Sequence, residues 1–173
     1  MRPAKTPSPR DANILLITLD TTRADHLSCY GYPRKITPNL DRLAQEGVLF
    51  EQASSASPWT FPSHASLFTG WYLAQHGANW FYPRLDDQLL TLAEVLRNHD
   101  YQTVGFSNNP WVSRATNLHQ GFDYFEESWR GGRLINRLAM TRMAHKLADL
   151  AMRTGDHNAG LTNQDIRRWF EDA

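Results

Sequence analysis

Short apolar, β-branched runs alternate along this chain with helix-length segments, and that order constrains the fold more than any other feature. Residues 13–19, with Ile14-Leu15-Leu16-Ile17-Thr18-Leu19 at their centre, read as a strand buried on both faces of a parallel sheet. Thr37 to Gly47 reads as a helix, with Thr37 at the N-cap, Pro38 in the first turn and Gly47 at the C-cap. Residues 48–53 predict a second strand, Leu89 to Asn98 a further helix, and Gln102 to Ser107 a third strand. Strand, helix, strand, helix, strand is the order of an α/β sheet joined by right-handed crossovers.

The 173 residues fit one domain with a sizeable core. Lys plus Arg and Asp plus Glu each number 18, a balance that argues against bulk-charge binding of nucleic acid or an anionic membrane. Cys29 is the only cysteine, so no intrachain disulfide forms and the composition leans toward a reducing compartment. Residues 1–12 lack an apolar core and read as a loose tail, not a signal peptide, and no stretch approaches the roughly 18 apolar residues of a membrane span. The expected location is therefore the cytoplasm, or export of a parent form that has lost its signal.

Two features carry chemistry. Asp20 stands at the end of the first apolar run, on the edge of a parallel sheet where ligands bind. About forty positions later Thr60 stands just before Pro62-Ser63-His64, where Pro62 is expected to open a short helix closing at Thr69-Gly70. A threonine hydroxyl needs a metal or a base to become a nucleophile near neutral pH. A cation held partly by Asp20 and bound to the Thr60 oxygen would supply that help, and a helix mouth favours an anion. The plain alternative is that Thr60 is an N-cap. Arg23 and Asp25 are expected to pair with each other or stabilise the loop, Asn108-Asn109-Pro110 to turn, and Asp86-Asp87 to be a surface pair or a cap.

Thr60-Phe61-Pro62-Ser63-His64 followed by Leu67-Phe68-Thr69-Gly70 resembles, in order and spacing, the nucleophile motif of the sulfatase branch of the alkaline phosphatase superfamily. That motif runs Cys or Ser, any residue, Pro, Ser, Arg, then Leu or Met, Thr, Gly. Residues 14–25, Leu27 to Tyr32, Thr37 to Ala44 and Gly47 to Phe50 are similar to the family's first strand, metal loop, next helix and next strand. The likeness covers about residues 13–127. It implies a three-layer α/β/α sandwich with a mostly parallel sheet, here cut short before the sheet resumes, with residues 128–173 as a helical excursion of the same domain.

The resemblance implies that Thr60 is nucleophile and metal ligand, that Asp20 is the first-strand metal ligand, and that His76 acts at the oxyanion or leaving group. His64 stands where the family has Arg, and His64 and Asn79 are the implied substrate contacts. The implied cofactor is a divalent cation, Ca²⁺ for a single oxygen-rich site or Mn²⁺ or Zn²⁺ for a phosphodiesterase-like pair. Thr60 cannot yield formylglycine, so none is expected, and phosphate and phosphonate esters join sulfate esters as substrates.

The substrate class is a small-molecule, glycan or lipid ester. The family's later Asp-His or Asp-Asn pair, second His and Lys have no counterpart here. Asp156-His157 follows a helical stretch and reads as a solvated loop. The isolated chain is thus expected to be inactive and to need its missing half or a second copy as partner. The rival readings are a non-catalytic fragment and a plain anion-binding module at the Pro62 helix mouth.

Overall fold

The computed structural model describes residues 12–130 and 159–172. The chain divides into two compact units, Met1–Ala53 and Ser54–Ala173. Residues 1–11 of the expected tail, and residues 131–158 of the expected helical excursion with the pair Asp156-His157, lie outside the described residues.

In the first unit, two short 3-10 turns, Ala24–His26 and Ser28–Tyr30, precede helix α1 (Pro38–Glu46). α1 starts and stops where its punctuation predicts. The Thr37 hydroxyl, however, does not cap it: it accepts from Ser28 N–H (3.1 Å) and donates to Asp41 Oδ1 (3.3 Å). The hydroxyl therefore ties the loop to the helix and leaves the first-turn N–H groups alone. The Arg23–Asp25 pair forms, at 2.6 Å.

The two strands expected in this unit are not strands. Residues 13–19 and 48–50 have no regular secondary structure, and Leu15 (83%), Ile17 (68%), Val48 (80%) and Phe50 (71%) stand exposed. An apolar run supplies the side chains for a strand, but only a neighbouring strand supplies the ladder of hydrogen bonds. The unit's described residues contain no such neighbour.

The second unit holds the core. Helix α2 (Thr60–Thr69) buries Phe61, Pro62, His64 and Ala65. Phe61 and Ala65, one turn apart, join Ala78, Leu85 and Leu118, with Trp59, Phe68, Leu89, Trp111 and Val112 packed around them. α2 begins two residues earlier than expected, so Pro62 is its third residue and Trp59 its N-cap. It ends as predicted: Gly70 takes the left-handed conformation (φ 72°), and the Thr69 hydroxyl donates to Ala65 O and accepts from Trp71 N–H.

A single turn, α3 (Leu73–His76), follows, then α4 (Leu92–Arg97). Thr91 and Glu94 close a capping box on α4 (Glu94 N–H to Thr91 Oγ1, 3.2 Å; Thr91 N–H to Glu94 Oε2, 2.9 Å).

The sheet among the described residues has two parallel strands, β1 (Val104–Ser107) and β2 (Tyr124–Glu127), paired Val104 with Tyr124 through Ser107 with Glu127. β1 is the third expected strand, shortened. β2 answers to none of the expected strands. Gly105 lets the strands' side chains close up, since a Cβ there would meet the Phe125 ring at 2.6 Å. The last described helix, α5 (Ala159–Asp172), packs on β1.

Candidate functional site

Thr60 is the first residue of α2, half-buried, and so not the N-cap. Its carbonyl is a focus for the first turn, accepting from Ser63 Oγ (2.9 Å) and from His64 Nδ1–H (2.8 Å). The His64 ring, 7% exposed, lies edge-on to Phe68 at 6.3 Å. His64, implied above as a substrate contact, is instead seated on the backbone of Thr60 itself. Pro62 has no N–H, so this helix mouth offers one donor fewer than an ordinary one.

His76 ends α3 and is 6% exposed. Ala78 N–H donates to its Nδ1 (3.1 Å), which places a lone pair on that nitrogen. The neutral ring must then carry its proton on Nε2, and Nε2–H donates to Ser66 Oγ (2.9 Å) on α2. Burial pushes the imidazole below its ordinary 6.5, against a smaller opposing effect from the Pro62 backbone. His76 is thus neutral at pH 7, with both nitrogens engaged inside the chain.

Asn79 builds its own loop. Its Oδ1 accepts from Phe81 N–H (2.8 Å) and Tyr82 N–H (3.2 Å), and its Nδ2 donates to Gly77 O (2.9 Å). That turn presents Trp80, which packs on Trp59 and Trp111 with ring centres 5.0 and 5.7 Å away. An open hollow of about 470 Å³ is lined by Phe81, Tyr82, Pro83, Arg84, Leu85 and Asp86, and by none of the expected site residues. Asp87 pairs with Arg84 (2.9 Å) and accepts from Asn117 Nδ2, while Asp86 accepts from Gln88 N–H. The Asn109 carboxamide turns the chain after β1 by accepting from Trp111 N–H (2.9 Å).

Asp20 belongs to the first unit, is exposed, and accepts from Thr21 N–H (3.0 Å), where Thr21 has a left-handed φ of 57°. Among the described residues no group of three or more His, Cys, Asp or Glu side chains is placed to hold a metal ion. Asp20 and the neutral oxygen of Thr60 fall short of the six to eight oxygens that Ca²⁺ takes and of the nitrogen or sulfur donors that Zn²⁺ favours. The described residues do not make up a metal centre.

Within the second unit, then, α2 and α3 bring Thr60, His64 and His76 into one hydrogen-bonded region. Sequence reasoning missed Ser66. It lies inside the motif stretch, but nothing local marks it as the partner of a histidine ten residues later.

The family model for sulfatases matches residues 12–144. Mouse steryl-sulfatase is 38% identical over 109 residues, covering 57% of this chain and 18% of that protein. Dog N-acetylgalactosamine-6-sulfatase is 36% identical over 107 residues (54% and 20%). Human arylsulfatase D is 34% identical over 140 residues (70% and 24%). The chain spans about a fifth of the length of these curated relatives. No solved structure matches it. No helix among the described residues is long and apolar enough to cross a membrane. A family match running through both units and across Asp20, Thr60 and His76 leads to one conclusion: the chain belongs to the sulfatase family.

Proposed function

We propose that this chain carries the nucleophile of a sulfatase-family ester hydrolase, with Thr60 in the attacking position and an α/β/α sandwich as the complete scaffold. The observation that supports it is the seat of Thr60. It opens a ten-residue helix locked into the core by Phe61 and Ala65, and its own carbonyl is held by Ser63 and His64. In this reaction Thr60 Oγ1 bonds to the sulfur or phosphorus of the ester as the bond to the alcohol oxygen breaks, and the hydroxyl proton leaves with the alcohol. Water then cleaves the threonyl ester, releasing sulfate, phosphate or phosphonate and restoring the hydroxyl.

The relatives' names speak of steryl, N-acetylgalactosamine 6- and aryl sulfates, and on that ground sulfate esters of ring-bearing alcohols are the first substrates to try. Thr in place of a formylglycine precursor brings phosphodiesters and phosphonate esters in beside them. The divalent cation typical of the family, Ca²⁺ by preference, belongs to the complete enzyme. Asn79 and His64 serve as support for the loop and the nucleophile. The ring of His76 has no lone pair to offer Thr60 as it stands, and it is given no proton to carry.

The isolated chain should give no steady turnover of 4-nitrophenyl sulfate or bis(4-nitrophenyl) phosphate. Steady release of nitrophenol that Thr60→Ala abolishes would uphold Thr60 and overturn the claim of inactivity. Steady release that Thr60→Ala leaves unchanged would overturn the nucleophile assignment itself.

A further inference from the structure

We propose that His76 and Ser66 form a positioning clamp that fixes the roll of α2 and thereby the heading of the Thr60 hydroxyl. This rests on Thr60 being the nucleophile, but the clamp itself can be observed without any reaction. The imidazole of His76 donates through Nε2 to Ser66 Oγ at 2.9 Å and accepts at Nδ1 from Ala78 N–H at 3.1 Å. The backbone of Pro62 also acts on the ring. Pro62 and Ser66 are four residues apart on α2 and so share one face of the helix, which makes the ring a brace across a full turn. Thr60 is two residues upstream of that turn. Gly77, left-handed at φ 64°, ends α3 and sets the Ala78 N–H back toward the ring.

The distance between Ser66 and His76 is that of a nucleophile and its general base, but the ring's hydrogen bonds exclude that role. A base would need the Nε2 lone pair, with its proton on Nδ1 pointing to an acceptor. Here Nδ1 faces the Ala78 N–H, a donor, so the proton sits on Nε2 and the Ser66 hydroxyl receives a hydrogen bond there. Ser66 is held, not activated. A helix roll that moves Thr60 Oγ1 by about 1 Å would be enough to slow an in-line attack by roughly a hundredfold.

The test uses the full chain labelled with ¹⁵N. Long-range ¹H–¹⁵N correlation at pH 7, with His76→Gln to assign the ring, should show His76 neutral with its proton on Nε2. A charged ring, or one protonated on Nδ1, overturns the clamp. Ser66→Ala should shift the Thr60 and Phe61 amide resonances with the fold intact, while Ser66→Thr, which keeps the hydroxyl, should leave them near the wild-type positions. Unmoved Thr60 resonances in folded Ser66→Ala also overturn it.

Where Thr60 is labelled by an activated aryl ester, the rate should fall about ten- to a hundredfold in Ser66→Ala and recover in Ser66→Thr. A chain that is never labelled at Thr60 counts against the nucleophile assignment alone, since the tautomer and the amide shifts decide the clamp.

Discussion

At the scale of single residues, α2 shows how one side chain can serve both core and site. Phe61 is wholly buried and adjoins Thr60, so packing of the core and placement of the hydroxyl share one anchor. Phe61→Ala should destabilise the second unit by about 3–5 kcal/mol, read as a fall in the thermal or urea midpoint. A loss under 1 kcal/mol would mean that the helix is not seated as described. Gly105 works by the opposite logic. A methyl group there would press into the Phe125 ring at 2.6 Å, so Gly105→Ala should cost about 1–3 kcal/mol by the same measurement. A spaced motif is what singles out Thr60, His64 and His76 in the sequence. Their local roles are not legible there, because a tautomer depends on what faces each ring nitrogen. Neither the Ala78 N–H nor the Ser66 hydroxyl announces itself in the order of residues.

Among the elements, legibility followed how local the causes are. α1 was readable because Thr37, Pro38 and Gly47 punctuate it within eleven residues. α4 was readable as a helix, although its start moved to the Thr91–Glu94 capping box. β2 was not readable, because Tyr124-Phe125-Glu126-Glu127 is short and half charged and owes its state to pairing with β1 twenty residues away. The runs at 13–19 and 48–53 failed the other way, having strand-like side chains with no ladder in their unit.

The α2–α3 contact carries a pH dependence. Burial holds His76 below 6.5, and no ionised side chain of the described residues contributes to that shift. As pH falls the unfolded chain therefore takes up its proton first. The stability owed to the neutral ring is complete above about pH 6.5 and is lost as pH drops through the depressed folded value. His119, lowered by burial and then by Arg114, adds a slope of the same sign. His76→Gln should flatten part of the melting-temperature profile below pH 6.5, and an unchanged profile would contradict the buried neutral ring.

For the molecule as a whole, the two units differ in how they hold together. The second has a core and networks such as Gln120 donating to Leu89 O (2.6 Å) and Glu94 Oε2 (2.9 Å). In the first, the segment Ile14–Leu19 is apolar, exposed and outside any strand. Hydrogen exchange should therefore show residues 13–19 losing their protons orders of magnitude faster than α2, with early proteolytic cuts in the same segment. Protection of 13–19 equal to that of α2 would contradict this picture and restore the expected buried strand.

The proposed chemistry rests on one oxygen atom, Thr60 Oγ1. Incubation of the chain with an activated aryl sulfate or phosphate ester, an acid quench and peptide mapping by mass spectrometry would test it most directly. The expected result is a single sulfuryl or phosphoryl group on Thr60, kept in Thr60→Ser and absent in Thr60→Ala. Modification of another residue, or none on Thr60, would contradict it.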